Sequence, residues 1–162
     1  MYHFIVRQIM RRAYRCLSAG DYATPLKQFA PDIVFRFAGD HAMGGEQHGI
    51  AAVRQWFQRL YRLFPGIQFE LVAIPVSGWP WNTTVTTHFR VRAALPGGRT
   101  YANEGMQFLR RRWGRAVEDY LYEDTQHLVA TLHYLAQQGV AEALAPPLAG
   151  STAPAPERVR PR

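Results

Sequence analysis

The residues best suited to chemistry fall in one stretch, Asn103 to Thr125, with the sequence NEGMQFLRRRWGRAVEDYLYEDT. Two runs of alternating residues flank Trp113-Gly114-Arg115, and the stretch reads as a β-hairpin. An acidic cluster, Glu118, Asp119, Glu123 and Asp124, sits on its second arm. Polar side chains at every second strand position project from one face, so they can converge on a ligand. The hairpin is therefore expected to form the back wall of a small-molecule pocket. A carboxylate buried in such a wall loses solvation, which raises its pKa into the range useful for proton transfer. Two loop histidines, His41 in GDHAMGG and His48 in EQHG, add imidazoles that titrate near neutral pH, although a loop histidine is more often merely exposed.

Other chemistries lack their residues. His41, Glu46 and His48 could donate to a metal, but no HxH, HExxH or CxxC spacing appears, and no metal is expected. The single cysteine, Cys16, excludes an internal disulfide and fits a reducing compartment. It has no sequence-evident base beside it. No glycine-rich phosphate loop, nucleotide fingerprint or Ser-His-Asp set is present, so no cofactor is expected.

The 162 residues are 48% hydrophobic and 13% aromatic, enough for one globular domain, expected over residues 1–138. A Pro/Ala-rich flexible tail is expected over 139–162. The net charge is +7, carried almost wholly by arginine, since Lys27 is the lone lysine. Most arginines are scattered, and only Arg110, Arg111, Arg112 and Arg115 cluster. A solvated surface is preferred over a nucleic-acid site. No stretch approaches a membrane span, and Arg7, Arg11 and Arg12 interrupt the apolar N-terminal residues, so a cytoplasmic protein is expected.

The elements that would position the hairpin follow from periodicity. Ile5, Val6, Ile9, Met10, Ala13 and Leu17 recur at helical spacing over residues 2 to 18, and Gly20 suits a helix terminator. A short second helix is expected from Asp21 to Phe29, then a strand from Ile33 to Phe37. The polar, glycine-bearing segment from Ala38 to Gly49 reads as a loop at a pocket rim. A third helix is expected from Ile50 to Leu63, with Val53, Trp56, Phe57 and Leu60 inward. Strands follow over 67–76 and 83–94, then the hairpin, then a final helix capped by Asp124 or Thr125. This order argues for an α+β fold with helices covering one face of a mostly antiparallel sheet.

That order, together with SAGDY closing the first helix, the FAPDIVFRF strand, the GGEQHG segment before helix three and the VEDYLYED arm, resembles the nuclear transport factor 2-like superfamily. The resemblance is to its SnoaL-like and ketosteroid-isomerase-like branch and covers residues 2 to 125. It implies a cone-shaped, curved sheet wrapped around a helix-lined cavity, and a homodimer formed through the opposite sheet face. It does not supply the reaction, because one fold hosts many chemistries. Aligned on AGD and FAPD, the isomerase's general-base aspartate falls on Phe37, its helix-one tyrosine on Ala13 and its proton-donating aspartate on Met106. Ketosteroid isomerisation is therefore not expected.

The same alignment implies that Met106, Phe108, Glu104 and Arg110 face the cavity, with Asp119, Leu121 and Glu123 opposite. Asp119, beside Phe108, Leu121 and Thr87, is the expected general base, with His41 or Arg110 assisting. The structural alternative is an Asp119–Arg110 ion pair. Glu104, Met106, Phe108, Leu121, Glu123, Phe37, Trp56 and Thr87 make up the expected substrate lining. Two functions stay open: a cofactor-independent acid/base enzyme on an apolar organic substrate (isomerase, cyclase, dehydratase or epoxide hydrolase), or a non-catalytic ligand-binding or dimeric assembly domain. A nucleic-acid binder using Arg110 to Arg115 is a weaker third.

Overall fold

The computed structural model describes residues 1–148, so residues 149–162 of the expected tail lie outside the described part. Helix α1 spans Tyr2–Ser18 and buries Val6, Met10 and Tyr14, one residue per turn along a single stripe. It ends where the sequence asks it to. Gly20 takes φ 80°, its N–H donates to the Leu17 carbonyl at 3.0 Å, and the Asp21 N–H donates to the Cys16 carbonyl at 2.9 Å. These are the paired bonds of a left-handed helix stop, which a glycine adopts at little steric cost.

Helix α2 is shorter than expected, Ala23–Leu26, and strand β1 starts early, at Phe29–Phe37. The expected rim loop contains a short strand, β2, Gly45–His48, paired antiparallel with β1. Helix α3, Gly49–Leu63, buries Val53, Trp56, Phe57, Leu60 and Leu63. The strand expected over 67–76 divides into β3, Gln68–Ala73, and the start of β4, Val76–Trp79. Strand β5, Asn82–Ala94, is long enough to pair with both, β4 along its first half and β3 along its second. Strands β6, Thr100–Arg112, and β7, Arg115–Glu123, form the hairpin, and helix α4, Thr125–Gln137, follows. The Asp124 carboxylate caps α4 by accepting from the N–H groups of Gln126 and His127 at 3.0 and 3.1 Å.

The resulting α+β fold has one curved, unclosed sheet of seven strands in the order β2-β1-β7-β6-β5-β3, with β4 beside β5. The pairing of β1 with β7 is parallel and the others are antiparallel. Helices α1 and α3 fill the concave side and bury an aromatic core that includes Phe35, Trp56, Phe64 and Phe89. Residues 139–148 do not leave the body as a tail. Ala141–Leu144 form a short 3-10 turn with Ala143 buried, and Glu142 pairs with Arg59 at 3.3 Å and Arg62 at 2.7 Å.

Candidate active site

Cross-strand register shows which hairpin residues share the concave face. Leu109 lies opposite Asp119, Gln107 opposite Leu121, and Gly105 opposite Glu123. On the other side of β7, Phe35 lies beside Asp119 and Phe37 beside Leu121. The expected phase of β7 therefore holds, while that of β6 is inverted. Tyr101, Gly105, Gln107, Leu109 and Arg111 are the buried positions of β6.

Met106 and Phe108, expected in the cavity, point to the convex face and are 44% and 37% exposed. Glu104 is also on that face, beside His88 and Arg90 at 3.4 Å each. Arg110 is ion-paired with Glu118 there, so it neither assists nor neutralises Asp119. The inversion has a physical source. The concave face carries Tyr101 and Leu109 with Gln107 and Arg111, and the convex face Met106 and Phe108 with Glu104 and Arg110, so neither is distinctly apolar and the family alignment alone set the expected phase.

His41 is likewise withdrawn from the cavity. Its Nδ1 accepts from the Met43 N–H at 3.2 Å, which leaves the proton on Nε2 to donate to the Ala38 carbonyl at 3.1 Å. Burial lowers its pKa, so the ring is a neutral brace for the 38–44 loop. His48, 54% exposed, pairs with Glu46 at 2.9 Å. Thr87 lies opposite Gln107 on the concave face and is fully buried, but does not border the cavity.

The cavity itself has a volume of about 80 Å³ and lies between α1, α3 and the sheet. Phe37, Trp56, Asp119, Leu121 and Glu123 border it. Sequence reasoning missed Tyr14, Tyr101, Gln107 and Arg111, which border it too. The Tyr14 hydroxyl donates to Gln107 Oε1 at 3.0 Å, and Gln107 Nε2 donates to Asp119 Oδ1 at 2.8 Å. A helix-one tyrosine is therefore present after all, one position beyond Ala13. The i, i+4, i+8 run of Val6, Met10 and Tyr14 was the available signal.

Desolvation dominates this network. Asp119 is 3% exposed and has Phe35 and Leu109 as strand neighbours, with one neutral amide as its hydrogen-bond donor among the described residues. Burial lifts its carboxyl to a pKa of about 7, against a smaller lowering by Gln107. Tyr14 is raised well above an ordinary phenol, first by burial and then by the Asp119 and Glu123 charges. A second network sits four residues along β7. Glu123 Oε2 accepts from the Tyr101 hydroxyl at 2.8 Å and from Asn103 Nδ2 at 3.3 Å. Burial lifts Glu123 to about 7 as well.

Four strand steps place these two carboxyls about 13 Å apart along the strand, too far to share a proton. Gly105 makes room for the second one. A Cβ there would meet the Tyr122 carbonyl, Glu123 Cγ at 2.8 Å and Phe89 Cζ at 2.9 Å. Among the described residues no three His, Cys, Asp or Glu side chains converge as a metal site requires.

Residues 10–119 match the profile of the SnoaL-like domain. The chain belongs to that family, within the nuclear transport factor 2-like superfamily. Among solved structures it is similar to wild-type IdmH from Streptomyces antibioticus, provisionally named a polyketide cyclase. The two are 22% identical over 78% of this chain and 97% of that one, with a TM-score of 0.64. AclR from Streptomyces galilaeus, provisionally named a hydroxylase, is 19% identical over 80% and 96%, with a TM-score of 0.63. A nuclear transport factor 2-like protein of unknown function from Burkholderia pseudomallei is 24% identical over 77% and 95%, with a TM-score of 0.62. At these identities the likeness concerns the fold. No curated protein matches the sequence. No described helix is long and apolar enough to cross a membrane.

Proposed function

We propose that the cavity is the active site of a cofactor-independent acid/base enzyme acting on a small, mostly apolar organic substrate. The observation that carries this is Asp119, a buried carboxyl with a pKa of about 7, aimed at the cavity and held by one amide. A general base works best when its pKa lies near the working pH, because it is then both ionised and basic. Gln107 orients the carboxylate, and Tyr14 fixes the amide that does so. Phe37, Trp56 and Leu121 keep the surroundings dry. This set suits isomerisation, dehydration, ring closure or epoxide opening, and the provisional cyclase name of IdmH accords with ring closure.

The volume sets a bound on the substrate. A cavity of about 150 Å³ holds benzene, so about 80 Å³ admits only a small group until the walls shift. The test is deuterium uptake at the α-carbon of cyclopentanone, followed by NMR. Asp119→Asn is expected to slow exchange by roughly 10²- to 10⁴-fold. An unchanged rate, or no exchange above buffer with the native protein, ends this proposal.

The second reading is a non-catalytic ligand-binding or dimeric assembly domain, favoured by the convex sheet face. Met106, Phe108 and Tyr122 are exposed there, and the Phe108 and Tyr120 rings stack at 6.3 Å. Such a patch marks an interaction surface, and a homodimer through the sheet would cover it. Sedimentation of the native protein and of Phe108→Glu tests this, with a monomer expected only for the variant.

A further inference from the structure

We propose that the substrate carries a single carboxylate and that Arg111 is its anchor. This deepens the acid/base assignment of the same cavity and rests on that cavity being the active site.

Arg111 is 5% exposed and borders the cavity. Its Nη2 donates to Gln28 Oε1 at 3.3 Å and to the Gly114 carbonyl, both neutral acceptors. No acidic side chain among the described residues comes within ion-pair distance of it. The other buried arginine is different. Arg59 pairs with Glu142 at 3.3 Å and donates to the Ala42 and Pro146 carbonyls at 2.8 and 2.9 Å.

A guanidinium does not shed its proton in a protein, so burial without a counter-charge is costly and is ordinarily balanced by an anion. The fold does not use Asp119 for that purpose. Leu109 faces Asp119 across the hairpin, and Arg111 stands two residues further along β6. Arg111 and Asp119 both border the same cavity without forming an ion pair, which leaves the space between cation and base to a carboxylate-bearing carbon skeleton. One guanidinium, the only cation that borders the cavity among the described residues, matches a monoanion. A phosphate dianion would call for further donors.

The experiment is calorimetric titration of the full chain with butyrate, its neutral isostere butyramide, and inorganic phosphate at neutral pH. Butyrate is expected to bind at least about tenfold more tightly than butyramide, the scale of one charge-assisted contact. Arg111→Met should abolish that preference, and Arg111→Lys should keep part of it. Equal affinity for the two isosteres, no binding of butyrate, or tighter binding of phosphate would each overturn the proposal. So would Arg111→Met with its preference intact, which would leave Arg111 as a brace between Gln28 and Gly114. If Arg111→Met does not fold, the native isostere ratio and the lysine variant decide. Ketone exchange that fails while the butyrate preference stands would remove the catalytic assignment alone.

Discussion

Glu118 and Asp119 are adjacent in sequence, of like chemistry, and in opposite physical situations. Glu118 lies on the convex face, half-buried and ion-paired with Arg110. Asp119 lies on the concave face, with apolar strand neighbours and a neutral amide for company. A single peptide step turns a side chain from one sheet face to the other. The convex carboxylate has a cation to stabilise its charge. The concave one loses water without gaining a cation, so its proton is held to a pKa of about 7. Chemistry is available where the charge is unsatisfied.

The contrast breaks first on pH. Asp119 and Glu123 both have folded pKa values raised to about 7, so between about pH 4 and pH 7 these two carboxyls hold protons that the unfolded chain has lost, against the single proton that buried His41 gives up. Stability must therefore fall as pH rises through that window, and level off above it. The rise of the Asp119 pKa to about 7 corresponds to a penalty of order 4 kcal/mol at high pH. Urea unfolding across the window should show this slope, reduced in Asp119→Asn and unaltered in Glu118→Gln. A native slope of the opposite sign would refute the desolvated state of the concave carboxyls.

A smaller effect sharpens the packing side of the contrast. Gly105→Ala forces a methyl against the Tyr122 carbonyl, Phe89 and Glu123. A cost of about 1–3 kcal/mol is expected, read as a lower thermal midpoint. Ala102→Ser, on the exposed face of the same strand, should change little. The smallest effect belongs to the convex ion pair. A double-mutant cycle on Arg110 and Glu118 should give about 0.2–1 kcal/mol and weaken with salt. A coupling of several kcal/mol would mean that this face is covered in solution.

Much of the fold was legible because its signals are local. The α1 stripe, the Gly20 stop, the Asp124 cap and the hairpin turn each depend on residues within a few positions of one another. Strands β2 and β4 were missed, since four residues beside Gly44 and Gly78 read equally well as loop until a partner strand supplies their hydrogen bonds. The arginine cluster also misled, because Arg111 turns inward while Arg110 pairs on the convex side.

The sequence by itself determined the order of the helices and long strands, the Gly20 stop and Asp124 cap, the family and the alternation that separates Asp119 from Glu118. Tertiary structure alone decided which face of β6 joins them. A strand whose two faces are about equally apolar has no intrinsic inside, and only the pairing of Leu109 with Asp119 chooses one. Contacts between residues far apart in the chain decided the rest. Tyr14 meets Gln107 across 93 positions, Arg111 is left without an acid among the described residues, and His41 is held within its own loop.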